Sequence, residues 1–150
     1  MASAGRSTEP PTILVIDDDA DARRMYSEYL RTKGWVVFTA ADGRSGIDKS
    51  TTLTPDVVLL DLAMPRVDGW TVLHHLRASS WTAKLPIVVV SAVDHARDAA
   101  FLSGCDAFLS KPCTPEVVWL QLSAMLRWRT ARVKVSSSRR VVLTEDSSPS

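Results

Sequence analysis

The sequence predicts a doubly wound α/β fold with helices on both faces of a five-stranded parallel sheet, and three observations predict it. Five short runs rich in Val, Ile and Leu recur along the 150 residues. Most are nearly continuous in apolar character, the mark of strands buried on both faces. Between them lie longer segments with apolar residues at helical spacing, and strand-helix alternation with short connections implies crossover units.

The strands are read at Thr12–Ile16 (TILVI), Trp35–Ala40 (WVVFTA), Asp56–Leu60 (DVVLL), Pro86–Val90 (PIVVV) and Asp106–Ser110 (DAFLS). In the first helical segment Met25, Tyr26, Tyr29 and Leu30 form an apolar stripe, and Gly34 is placed to stop it. Trp70, Leu73 and Leu76 mark the third helix, and Gly104 stops the fourth. Val118, Leu122, Met125 and Leu126 mark the fifth, after the start signal Thr114-Pro115-Glu116. Residues 1–11 are small and polar and are expected to be disordered, residues 12–129 to form the domain, and the Ser- and Arg-rich residues 130–150 to be a tail. Val141–Leu143 offers only weak grounds for an added edge strand.

Composition narrows the function classes. The chain is 45% hydrophobic and 23% charged, as in an ordinary globular protein. No apolar run approaches the roughly 18 residues of a membrane span, and the start MASAGRSTEPP has no export-signal core. A cytoplasmic protein with no membrane partner is expected, with Cys105 and Cys113 as free thiols lacking zinc-site spacing. Thr12–Leu126 carries 11 basic against 14 acidic residues, and Arg127–Ser150 carries 6 against 2. So small a basic excess is read as solvated, and direct nucleic-acid contact is not expected.

Open parallel sheets bind ligands beyond the carboxyl ends of their strands. Asp17, Asp18 and Asp19 follow the first strand, Asp61 the third, Ser91 the fourth and Lys111 the fifth. Carboxylates gathered on one rim repel unless a cation neutralises them. All-oxygen ligands with room for water and phosphate favour Mg2+ over Ca2+. Asp19, third in its row, is assigned to capping the helix.

The segments ILVIDDDADAR, DVVLLDLAMPRVDGW, PIVVVSA and GCDAFLSKP together resemble the receiver domains of two-component response regulators, over roughly Thr12–Leu126. The resemblance implies a flavodoxin-like sheet of order 2-1-3-4-5. It also implies that Asp61 is the phosphoacceptor, fed by a sensor histidine kinase or His-phosphotransfer protein. Mg2+ would be held by Asp18 directly, by Asp17 through water, by Asp61 and by the backbone carbonyl of Ala63. Lys111 and Ser91 would hold phosphoryl oxygens, and Lys111-Pro112 would be a cis peptide. Ser91 and Phe108 would form the switch pair, although Phe108 reads equally well as a core aromatic. A downstream effector or output domain would read the fourth helix, fifth strand and fifth helix, a face that could also dimerise. On this pattern the chain is a signalling domain that assists its own phosphorylation and dephosphorylation, not an enzyme in the ordinary sense.

Several residues receive plainer readings. Met64-Pro65 and Asp68-Gly69 match the turn that closes over the site in the family it resembles, with Asp68-Gly69 read as turn chemistry alone, and His74, His75 and His95 are read as solvent-facing. Trp119 and Trp128 are read as filler, with a partner face the lesser alternative. Two rival functions remain: a degenerate receiver that signals without phosphorylation, and the receiver part of a larger regulator. A flavin- or nucleotide-binding protein would need a Gly-rich phosphate loop where DDDADAR stands.

Overall fold

A computed structural model describes residues 9–127. The chain alternates β1 (Thr12–Ile16), α1 (Ala20–Thr32), β2 (Val36–Ala40), α2 (Gly43–Leu53), β3 (Val57–Asp61), α3 (Gly69–Ala78), β4 (Ile87–Ser91), α4 (Arg97–Leu102) and β5 (Ala107–Ser110). A 3-10 turn, Asp94–Ala96, leads into α4. The last described element, α5, spans residues 115–127 and starts at Pro115, where its missing N–H costs nothing. All strands pair in parallel, in the order β2-β1-β3-β4-β5. The expected tail, its edge strand and Trp128 lie outside the described residues, as does most of the segment read as a disordered N-terminus.

Every residue of β3 and β4 is buried, and Leu14, Ile16, Val58, Leu60, Ile87 and Val89 meet Val72, Leu73 and Leu76 of α3 in one core. A fully buried aliphatic side chain contributes about 1.5–3 kcal/mol. This explains why the runs are continuous and not alternating.

Four strands begin one residue later than the sequence suggests, each for a local reason. The Trp35 N–H donates to Leu30 O as part of the helix stop. Asp56 turns its carboxylate to the backbone N–H and hydroxyl of Thr12, at 2.8 and 3.1 Å. Pro86 has no N–H to give a ladder. Asp106 accepts from the Ile87 N–H at 2.8 Å and from Arg77 at 2.9 Å. At their far ends β3 and β4 reach one residue further, so Asp61 and Ser91 are the last strand residues and not the first loop residues.

Both glycine stops form as expected. Gly34 (φ 87°) and Gly104 (φ 109°) take the left-handed conformation. The residue after each donates back to the third-last helical carbonyl, Trp35 to Leu30 and Cys105 to Ala100. The stripe on α1 needs correction: Tyr26, Ser27 and Leu30 are buried, while Met25 is 42% exposed. Met25 and Tyr29 stand one residue, about 100°, round the helix from the 26/30 seam that faces inward. Trp70 is half-buried against the core. On α5, Val118 and Leu122 are buried and Met125 and Leu126 half-buried. Cys105 and Cys113 are free thiols, and His74, His75 and His95 are exposed.

Candidate functional site: an acidic pocket at the carboxyl edge of the sheet

Asp17 follows β1 directly, and its position is fixed twice. Its Oδ1 accepts from the Asp19 N–H at 2.9 Å, and its carbonyl accepts from Arg23 on α1 at 2.8 Å. Asp19 meanwhile caps α1, accepting from the Asp21 N–H at 3.0 Å, as its place in the row suggests. Asp61, ending the neighbouring β3, accepts from the Ala63 N–H at 3.1 Å. Asp17 and Asp61 are buried (3% and 6% exposed) and Asp18 is exposed. One carboxylate oxygen from each of the three lies within 4.8 Å of the others.

Lys111 enters from the end of β5, with Nζ 3.3 Å from Asp17 Oδ2 and 3.6 Å from Asp61 Oδ2. Burial alone would lower its pKa, but Asp17 and then Asp61 outweigh this and hold it above the ordinary lysine value. One ammonium does not balance the cluster. Burial, then the charge of Asp17, push Asp61 up to about 6 against an ordinary 3.8, despite the opposing pull of Lys111 and the Ala63 N–H. An oxygen-only donor set with a charge deficit fits a hard divalent cation, and Asp17, Asp18 and Asp61 are the residues that would hold it.

Ser91 lies one position beyond Val90, the register partner of Asp61. It is fully buried, and its hydroxyl accepts from the Val93 N–H at 3.2 Å. The Lys111 N–H donates to the Ser91 carbonyl at 2.9 Å, tying the end of β4 to the lysine loop. Phe108 on β5 is 5% exposed and belongs to the core. The Lys111-Pro112 peptide is cis. Asp17, Asp18, Asp61 and Lys111 are thus brought together, with Ser91 on the same rim and Phe108 below it.

The sequence gives no site role to two contributors, Arg23 and Tyr26, and reads a third, Asp68-Gly69, as a turn. Arg23 holds the Asp17 carbonyl. The Tyr26 hydroxyl donates to the Cys113 carbonyl at 3.2 Å, across 87 residues of chain. Asp68-Gly69, read as turn chemistry, does more than turn. Asp68 caps α3, accepting from the Thr71 N–H at 2.9 Å, and a side chain on Gly69 would collide with the Asp61 carbonyl oxygen and Leu62 Cα. Only the Asp-Gly pair itself hinted at this; the contacts of Arg23 and Tyr26 are tertiary and have no local signature.

A doubly wound parallel sheet that gathers three carboxylates, a lysine and a hydroxyl on its carboxyl edge defines a class of α/β modules that act from their strand ends. The family model described as "Response regulator receiver domain" matches residues 13–123. The chain belongs to that family. Among relatives, "Probable transcriptional regulatory protein TcrX" of Mycobacterium tuberculosis is 39% identical over 137 residues, 90% of this chain and 57% of its own length. "DNA-binding dual master transcriptional regulator RpaA" of Synechocystis is 36% identical over 137 residues, 90% of this chain and 56% of its own length. Among solved structures, the receiver domain of a Francisella response regulator superposes with a TM-score of 0.75 at 26% identity, covering 79% of this chain and 98% of that one. The chain spans a little over half the length of these curated relatives. Their names give no support to the expectation that nucleic acid is not contacted directly. Among the described residues no helix is long and apolar enough to cross a membrane.

Proposed function

We propose that this chain is a phosphorylation-switched receiver in which Asp61 accepts a phosphoryl group from the phosphohistidine of a sensor kinase or His-phosphotransfer protein. The observation that carries this reading is the convergence of Asp17, Asp18 and Asp61 within 4.8 Å, with Lys111 reaching both buried aspartates. An Asp61 carboxylate oxygen attacks phosphorus and the P–N bond to the donor imidazole breaks. The electron pair stays on the nitrogen, and an acyl phosphate forms on Asp61.

Asp18, Asp61 and the Ala63 carbonyl would hold Mg2+, with Asp17 acting through water, and the ion would supply charge neutralisation for a transition state rich in negative oxygen. Lys111 gives up its contact with Asp61 to pair with a phosphoryl oxygen. The Ser91 hydroxyl, which accepts from the Val93 N–H, donates its own O–H to a phosphoryl oxygen, and Phe108 follows into the space beneath. A new charge-assisted contact of this size shifts a population between packings a few kcal/mol apart.

The readout surface is the α4–β5 edge, through which phosphorylation also favours self-association. Because its relatives are named as transcriptional regulators, we assign the switch to transcription control, exerted through an effector or output domain in the cytoplasm. The test is intact mass after treatment with acetyl phosphate and Mg2+. The wild-type chain gains one phosphoryl group and Asp61→Asn gains none. A wild-type chain that gains nothing leaves a receiver that signals by phosphorylation-independent binding.

A further inference from the structure

Two ties run from α1 to the loops that carry the site. Arg23 holds the Asp17 carbonyl at 2.8 Å, which fixes the loop bearing Asp17 and Asp18. Tyr26, one turn further along, donates its hydroxyl to the Cys113 carbonyl at 3.2 Å, which fixes the loop that follows Lys111. Tyr26 is 2% exposed and Cys113 half-buried, so water is largely kept from the donor side of the bond, and a carbonyl left there without a donor would lose a hydrogen bond. The loop itself is poor in donors, because Pro112 and Pro115 have no N–H. An anchor through a loop carbonyl therefore matters more here than in most loops.

Lys111 needs such an anchor. Its ammonium sits on a flexible four-carbon stem yet stands between two carboxylates, 3.3 Å from Asp17 and 3.6 Å from Asp61. Where its backbone lies decides whether Nζ can stay between them. On its N-terminal side the backbone is held by the bond to the Ser91 carbonyl; on its C-terminal side Tyr26 holds it two residues on.

Resting on the phosphoacceptor reading of the pocket, we propose that Tyr26 is a positioning residue for phosphoryl transfer. Its bond to the Cys113 carbonyl fixes the backbone from which Lys111 reaches Asp17 and Asp61. Tyr26 itself touches no reacting atom. Burial, followed by the Cys113 thiol and the two aspartates, pushes its phenol up to about 12, so the hydroxyl stays a donor wherever the pocket is able to work.

The test is a double-mutant cycle on the full chain, with acetyl phosphate and Mg2+ as probes. Tyr26→Phe keeps the ring and removes the donor. It slows phosphorylation about fivefold, the equivalent of one hydrogen bond of about 1 kcal/mol. Its Mg2+ affinity, read from tryptophan fluorescence, stays within about twofold of wild type because the carboxylates are untouched. In a Lys111→Ala background the same substitution changes the rate little, since the residue it positions is gone. Equal rates for Tyr26→Phe and wild type, an undiminished effect in the Lys111→Ala background, or a loss of Mg2+ affinity matching the loss of rate would each overturn the proposal. A wild-type chain that takes no phosphoryl group would instead overturn the phosphoacceptor reading beneath it.

Discussion

Replacing Asp61 by Asn should stabilise the metal-free protein at neutral and alkaline pH while abolishing its capacity to be phosphorylated. In the folded chain the Asp61 pKa lies near 6 against an ordinary 3.8. A carboxyl whose folded-state pKa is raised binds its proton more tightly when folded. Its ionised form therefore costs stability above about pH 6, and the cost vanishes below about pH 4, where the group is protonated in both states. Roughly two units correspond to about 3 kcal/mol. That value already contains the opposing pull of Lys111 at 3.6 Å; burying the Asn amide takes back a share, so the expected gain at pH 8 is about 1–3 kcal/mol. With a urea slope of about 1–3 kcal/mol per molar, the unfolding midpoint should rise by about 1 M. Urea titrations of both proteins with EDTA, at pH 8 and pH 4, measure this directly. The curves should separate at the higher pH and converge at the lower. An Asp61→Asn protein less stable than wild type at pH 8, or a difference independent of pH, would refute the claim that Asp61 is held in an unbalanced cluster. Adding Mg2+ should stabilise wild type more than the variant, since a ligand stabilises the form it binds.

Other expectations follow from the same geometry. Ala63 is exposed and Val93 is 37% exposed; they stand two residues beyond Asp61 and Ser91, where neither side chain can orient an attacking water. The phosphorylated protein should therefore lose its phosphoryl group over minutes or longer, and a decay of seconds, followed by radiolabel with Mg2+ present, would contradict that. Gly69→Ala should cost about 2–3 kcal/mol in urea unfolding and slow phosphorylation, because the added carbon meets the backbone of Asp61 and Leu62, which cannot rotate aside. An unchanged midpoint would show that the close approach can relax. Ser27→Ala should raise stability by about 1 kcal/mol, since the Ser27 hydroxyl is buried without a hydrogen-bond partner among the described residues; a drop in melting temperature would mean that the hydroxyl is satisfied in solution.

Much of this molecule could be read from its sequence where the signal is local. Continuous runs such as PIVVV revealed buried strands, and Gly34 and Gly104 marked helix stops that need a left-handed residue. Asp17, Asp18, Asp61, Ser91 and Lys111 were legible because strand ends place them on one edge. Strand starts slipped by one residue where a side chain bonds to distant backbone, as Asp56 does with Thr12 and Asp106 with Ile87; no window around Asp56 contains Thr12. The α1 stripe misassigned Met25 because a 13-residue helix with apolar residues at 25, 26, 29 and 30 offers two adjacent seams, and only packing chooses between them. Tyr26 escaped as a site residue for the same reason, its partner lying 87 residues away.

The central claim is that the Asp61 carboxylate itself becomes the acyl phosphate. Borohydride reduction of the freshly phosphorylated chain, followed by peptide mapping, tests it most directly, because an acyl phosphate on aspartate is reduced to homoserine. Homoserine at position 61, dependent on Mg2+ and on the phosphodonor, is the predicted result. A phosphoryl group recovered on another residue, or position 61 recovered as unmodified aspartate from a phosphorylated chain, would contradict it.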